Sequence, residues 1–186
     1  MFKQILLFTI LASAMPFAAQ ADQPDRFNYD YAEGAYLSEN PSHGGSDLTG
    51  VLVDGSYELQ PHWRISGLFS NASCCGITDN RYAASAGYYT GINDDIDFIA
   101  DLSFLGQHVT NAGSHNGWGI DGGVRAMLAP QFELDGLVQH SDVNSNTENT
   151  LTVKGIYSLT SAWHLFASYS NNSDEDDFQV GVRYVF

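Results

Sequence analysis

Trp118-Gly-Ile-Asp-Gly-Gly-Val-Arg-Ala-Met-Leu128 places Trp118, Ile120, Gly122, Val124, Ala126 and Leu128 on one parity and Asp121 and Arg125 on the other. Ala129-Pro130-Gln131 interrupts the run, and Phe132, Leu134, Gly136 and Val138 then alternate against Glu133, Asp135 and Gln139. A period of two sends successive side chains to opposite faces of an extended strand. The stretch therefore reads as an antiparallel hairpin with one apolar face and one charged face.

The same pattern extends in both directions. Thr49, Val51, Val53, Gly55, Tyr57 and Leu59 oppose Asp54 and Glu58, and after the turn at Gln60-Pro61, Trp63, Ile65, Gly67 and Phe69 oppose Arg64. Ile96, Phe98, Ala100, Leu102 and Phe104 oppose Asp97 and Asp101. Leu151, Val153, Gly155, Tyr157 and Leu159 oppose Lys154, while Trp163, Leu165, Ala167 and Tyr169 oppose His164. The last run sets Phe178, Val180, Val182, Tyr184 and Phe186 against Arg183. Registers set by the apolar residues alone send every one of these charges to the opposite face. Two runs are less regular. In Phe27 to Leu37, Asp30 and Glu33 differ in parity, so either a bulge sits near Tyr31 or Asp30 lies beyond the membrane band; Arg81 to Ile92 has no internal charge to fix its face.

A sandwich and a membrane barrel both alternate, and the surroundings of the apolar face separate them. Trp63, Trp163, Phe132 and Tyr57 gather beside the short turns, as an aromatic girdle at a lipid interface does. Connections alternate in length, short after Leu59, Ile92, Leu128 and Leu159, and long and polar over 38–47, 70–80, 106–117, 141–149 and 171–176. The predicted fold is all-β, an antiparallel up-and-down transmembrane β-barrel of ten strands, with eight as the alternative. A weak repeat, Trp63 to Ser73 against Trp163 to Ser173, reflects hairpin recurrence.

Residues 1–21 read as a cleaved signal peptide: Lys3, an apolar run from Ile5 to Ala14, and Ala19-Gln20-Ala21 as a small-x-small cleavage site. Residues 22–186 are then the barrel domain. Seven Lys and Arg stand against 22 Asp and Glu, a net charge of −15, and loss of Lys3 with the leader makes it one unit more negative. That balance excludes nucleic acid as a partner, because phosphates demand a basic surface.

Val180-Gly-Val-Arg-Tyr-Val-Phe186 resembles the terminal strand of Gram-negative outer-membrane barrels, and Phe27-Asn-Tyr-Asp-Tyr-Ala-Glu-Gly-Ala-Tyr36 is similar to the first strand of a poorly characterised group of small barrels. The wider resemblance, to the OmpA/OmpX-like barrel superfamily, covers the whole mature chain. It implies Val182, Tyr184 and Phe186 as an assembly signal read by the barrel assembly machinery, transit with periplasmic chaperones, and a monomer in contact with outer-membrane lipid and lipopolysaccharide.

The interior charge network expected is Asp54, Glu58, Arg64, Asp97, Asp101, Asp121, Arg125, Glu133, Asp135, Lys154 and Arg183. Charges facing lipid at mid-membrane would cost roughly 2–4 kcal/mol for each base, so the interior is their place. They either interlock as a plug or line a narrow path whose acid excess favours cations. Cys74 and Cys75 could form a vicinal disulfide in an external loop. His43, His108, His115 and His140 fall on the external side at separations that match no metal-ligand pattern, and Asp174 to Asp177 reads as a solvated acidic loop. His140-Ser141-Asp142 supplies hydrolase residue types, yet neighbours on one strand point to opposite faces. The expected protein is an integral outer-membrane barrel with a polar packed interior, acidic external loops and a structural or surface-interaction role. No enzyme, metal or cofactor is expected. A narrow channel for small cations or polar solutes is the alternative, and a surface hydrolase the third reading.

Overall fold

The computed structural model describes residues 27–42, 44 and 46–186. The expected leader, with Ala19 and Ala21, and His43 lie outside the described residues. Ten strands form in order: β1 (Tyr31–Pro41), β2 (Leu48–Gln60), β3 (Trp63–Cys74), β4 (Ile77–Asn93), β5 (Ile96–Val109), β6 (Gly113–Ala129), β7 (Phe132–Val143), β8 (Asn146–Ser158), β9 (Trp163–Asn171) and β10 (Glu175–Val185). Each pairs antiparallel with its neighbours, and β1 pairs with β10, from Tyr31 opposite Val185 to Pro41 opposite Glu175, so the barrel is closed. Closure removes the unpaired strand edges that lipid cannot hydrogen-bond.

Thr49, Val51, Ile65, Leu102, Ile120, Leu151, Leu165 and Val180 point outward, and the charges of the same strands point in, except Asp176 at the external end of β10. Between the two ends of the barrel no Asp, Glu, Lys or Arg of the described residues faces out on the apolar band. Trp63 packs edge-on against Tyr88, and Trp163 lies 4.9 Å from Tyr184, forming the girdle beside the short turns. A second girdle, not anticipated, lies toward the other end. There Phe69 stands opposite Tyr82, Phe104 opposite Trp118, and Tyr169 opposite Phe178.

Two questions left open by the sequence are answered and one expectation changes. The first strand begins at Tyr31 and pairs without a bulge, so Asp30 precedes the ladder and its carboxylate instead accepts from the Glu58 amide at 2.6 Å. In β4 the lumen receives Arg81, Ala83, Ser85 and Tyr89, and Tyr82 and Tyr88 face out. The polar segments assigned to long loops are mostly strand, since β4 and β6 each run to 17 residues. A ladder continues into water wherever both faces can be polar, and there the alternation that marks a strand disappears. Two of the external turns are consequently tight. Cys75-Gly76 and Asn144-Ser145 have positive φ at both residues, the twist a two-residue hairpin needs. Register shifts occur between Glu58 and Gln60, Gly91 and Asn93, and Met127 and Ala129, all beside the opposite set of turns.

Candidate functional site: the lumen

Every basic residue from Arg64 onward points into the lumen and is ion-paired there. Arg125 reaches Glu133 through Nε at 2.8 Å and Nη2 at 2.5 Å, with Asp135 at 3.6 Å. Glu33 accepts from Arg183 at 2.6 Å and from Lys154 at 2.5 and 2.8 Å, and Arg183 also lies 3.7 Å from Glu133. These contacts form one belt along β6, β7, β8, β10 and β1. Arg64 bonds Asp101 at 2.6 Å from the opposite wall.

Of the network read from sequence, Arg64, Asp101, Arg125, Glu133, Asp135, Lys154 and Arg183 are joined by ion pairs. Asp54 accepts from the Tyr31 hydroxyl at 3.3 Å, Asp97 from the Tyr29 hydroxyl at 2.8 Å, and Glu58 from the Tyr89 hydroxyl. Asp121 faces Asp101 across the β5–β6 ladder, with Ser103 Oγ at 3.5 Å. Glu33, the centre of the belt, was absent from that set because its parity was ambiguous.

A second cluster was missed. Arg81 takes Glu175 through both terminal nitrogens at 2.6 and 2.8 Å and Asp79 through Nε at 2.9 Å, with Glu39 and Asp177 within 4 Å. Asp79 and Arg81 share a parity, which was the available signal. Glu175 and Asp177 therefore belong to the lumen and not to a solvated loop. Asp176 faces outward, accepting from Tyr169 and Asn171.

Two cavities overlap along the axis. One, of about 330 Å³, lies at the external end beside Glu39, Arg81, Glu148 and Glu175. The other, of about 380 Å³, continues from Arg81 and Glu175 down to Tyr29, Arg125 and Arg183. An apolar cluster of Ala35, Leu52, Ile156 and Phe166 also lines the interior, so the lumen is not wholly polar.

Below the central cavity the chain itself crosses the lumen. Phe27 and Tyr29 precede the first strand yet are 3% and 2% exposed. Tyr29 stacks on Tyr89 at 3.8 Å, and the Arg125 guanidinium lies 4.6 Å from the Tyr29 ring and 5.1 Å from that of Phe27. Burial pushes the Tyr29 phenol well above its ordinary range, Arg125 opposing and Asp97 reinforcing the shift.

At the external rim Cys74 and Cys75 are bonded to each other at the β3–β4 turn, their Cα atoms 3.8 Å apart. His108 pairs with Ser114 and His140 with Asn149, and His140 lies against Trp118 while Ser141 is buried in the lumen wall. Val182, Tyr184 and Phe186 form the outward row of β10, with Tyr184 and Phe186 in ring contact.

The family model of the outer membrane protein beta-barrel domain matches residues 5–186. Among solved structures the KdgM porin is similar in fold, with a TM-score of 0.50, 15% identity, and coverage of 83% of this chain and 99% of that one. Neisserial surface protein A aligns with a TM-score of 0.42 and 17% identity over 84% of this chain and 95% of its own. Ail, the attachment invasion locus protein of Yersinia pestis, aligns with a TM-score of 0.42 and 13% identity over 86% and 100%. No curated protein matches the sequence. The chain belongs to the outer membrane protein beta-barrel domain family, and it is an outer-membrane β-barrel.

Proposed function

We propose that this protein is exported by residues 1–21 to the outer membrane of a Gram-negative cell and serves there as a closed barrel with a structural or surface-interaction role. One observation carries the reading. The Arg125–Glu133–Arg183–Glu33–Lys154 belt projects into the lumen, and Phe27 and Tyr29 pack beneath the central cavity against Arg125 and Tyr89. Full-length protein in a planar bilayer should therefore show no steady conductance; stable open steps would sink this reading. In the same proposal the chain is a monomer that contacts lipopolysaccharide, is delivered by periplasmic chaperones and the assembly machinery, and presents its acidic rim at the cell surface. Deleting Phe186 should weaken the heat-modifiable folded band in the membrane fraction.

A narrow path for small cations is the second reading, favoured by the acid-lined cavities that overlap from the external end down to Tyr29. Catalysis is not part of the proposal. His140 and Ser141 occupy opposite faces of β7, so they do not assemble a nucleophile and its base. Any hydrolysis lost on His140→Ala would contradict this.

A further inference from the structure

Residues 27–30 lie outside the strand ladder, whose β1 pairs begin at Tyr31. None of them takes part in an inter-strand register. Among the described residues this segment is tied to strand backbone through Asp30, which accepts from the Glu58 amide through its carboxylate and from the Phe186 amide at 3.2 Å through its carbonyl. Its side chains also hold to one wall, touching Tyr89 of β4, Ile99 and Asp97 of β5, and Met127 and Arg125 of β6, with Arg64 of β3 5.7 Å from the Tyr29 ring. That wall meets the Glu33 belt at Arg125, which belongs to both.

We infer that Phe27 and Tyr29 form a stopper in the periplasmic mouth of the lumen, and that the barrel conducts small cations when this stopper is withdrawn. The inference rests on the closed-barrel reading. Above the stopper stands a cavity of about 380 Å³ whose wall includes Asp54, Asp101, Asp121 and Asp135. Among the described residues Asp101 and Asp121 each keep one buried carboxylate oxygen without a hydrogen-bond donor. Buried carboxylate oxygens left so are stabilised by a passing cation and repel an anion. The external cavity continues the path with Glu39, Glu148, Glu175 and Asp177 against the single guanidinium of Arg81. Acids thus outnumber the bases Arg64, Arg81, Arg125, Lys154 and Arg183 along the route from rim to stopper, and among the described residues the stopper is the part of the obstruction not built into the barrel wall.

The experiment compares full-length protein with a Phe27→Ala/Tyr29→Ala variant in planar bilayers under a KCl gradient, after heat modifiability shows both to be folded. The expected result is a silent full-length barrel and a variant with discrete steps, whose reversal potential is displaced toward that of the cation. Adding Asp121→Asn should reduce the displacement. If the double variant does not fold, Tyr29→Ala alone is measured in its place. A folded variant as silent as the full-length barrel overturns the stopper, and steps selective for chloride overturn its cation role. A full-length barrel that already conducts refutes the closed-barrel reading, and if the variant adds nothing to that current the stopper falls with it.

Discussion

Glu33, 4% exposed, holds Lys154 and Arg183 together, and Arg183 in turn reaches Glu133. Replacing one member of a buried ionic group leaves uncompensated charge that costs roughly 3–5 kcal/mol. Glu33→Gln should therefore lower the denaturant midpoint of the folded band by a large step, whereas Asp47→Asn, at an exposed position before β2, should leave it within error. Tyr29 gives a different test. Burial raises its phenol above the ordinary value near 10, so the stability it contributes is complete below about pH 10 and is lost as pH rises beyond that. The unfolding temperature should fall above that point, and Tyr29→Phe, which has no phenol to ionise, should fall less steeply.

Elements are governed by close approach between strands. Gly181 sits where β10 meets β1, and a Cβ there would run into the Gly34 carbonyl and stand 2.8 Å from the Ala35 Cα atom. Gly181→Ala should impair closure of the seam and reduce the heat-modifiable band. Gly122→Ala, with nothing within 4 Å of its added Cβ, should assemble like the parent. The limits of strand reading from sequence show at this scale too. Inside the lipid band only one face can be polar, so alternation defines the strands there. Beyond it the ladder of β6 continues through Gly113-Ser-His-Asn-Gly117, where no apolar face remains to mark it.

For the whole molecule, strand number decides how much must fill the interior. Eight strands leave a lumen about as wide as their own side chains fill; ten leave space that the belt and the N-terminal segment occupy in part. Charge is partitioned just as sharply. All described Lys and Arg face inward, so the external rim offers lipopolysaccharide phosphates only acids such as Asp142 and Asp174. Contact with that lipid should therefore depend on divalent cations, and EDTA should strip co-purifying lipopolysaccharide more completely than high salt. Equal loss with either treatment would argue against cation bridging.

Within the apolar band of β2, β3 and β5 to β10, parity alone determined which residues face lipid and which face the lumen, because a period of two is a local property that survives without knowledge of partners. Asp79 and Arg81 could have been read the same way. What only the tertiary structure decided is which inward charges meet: Glu33 and Lys154 are 121 residues apart, and Arg81 and Glu175 are 94. It also decided the fate of Phe27 and Tyr29. They alternate like strand residues, yet they turn into the barrel because the lumen of ten strands is wide enough to receive them and Arg125 stands across it.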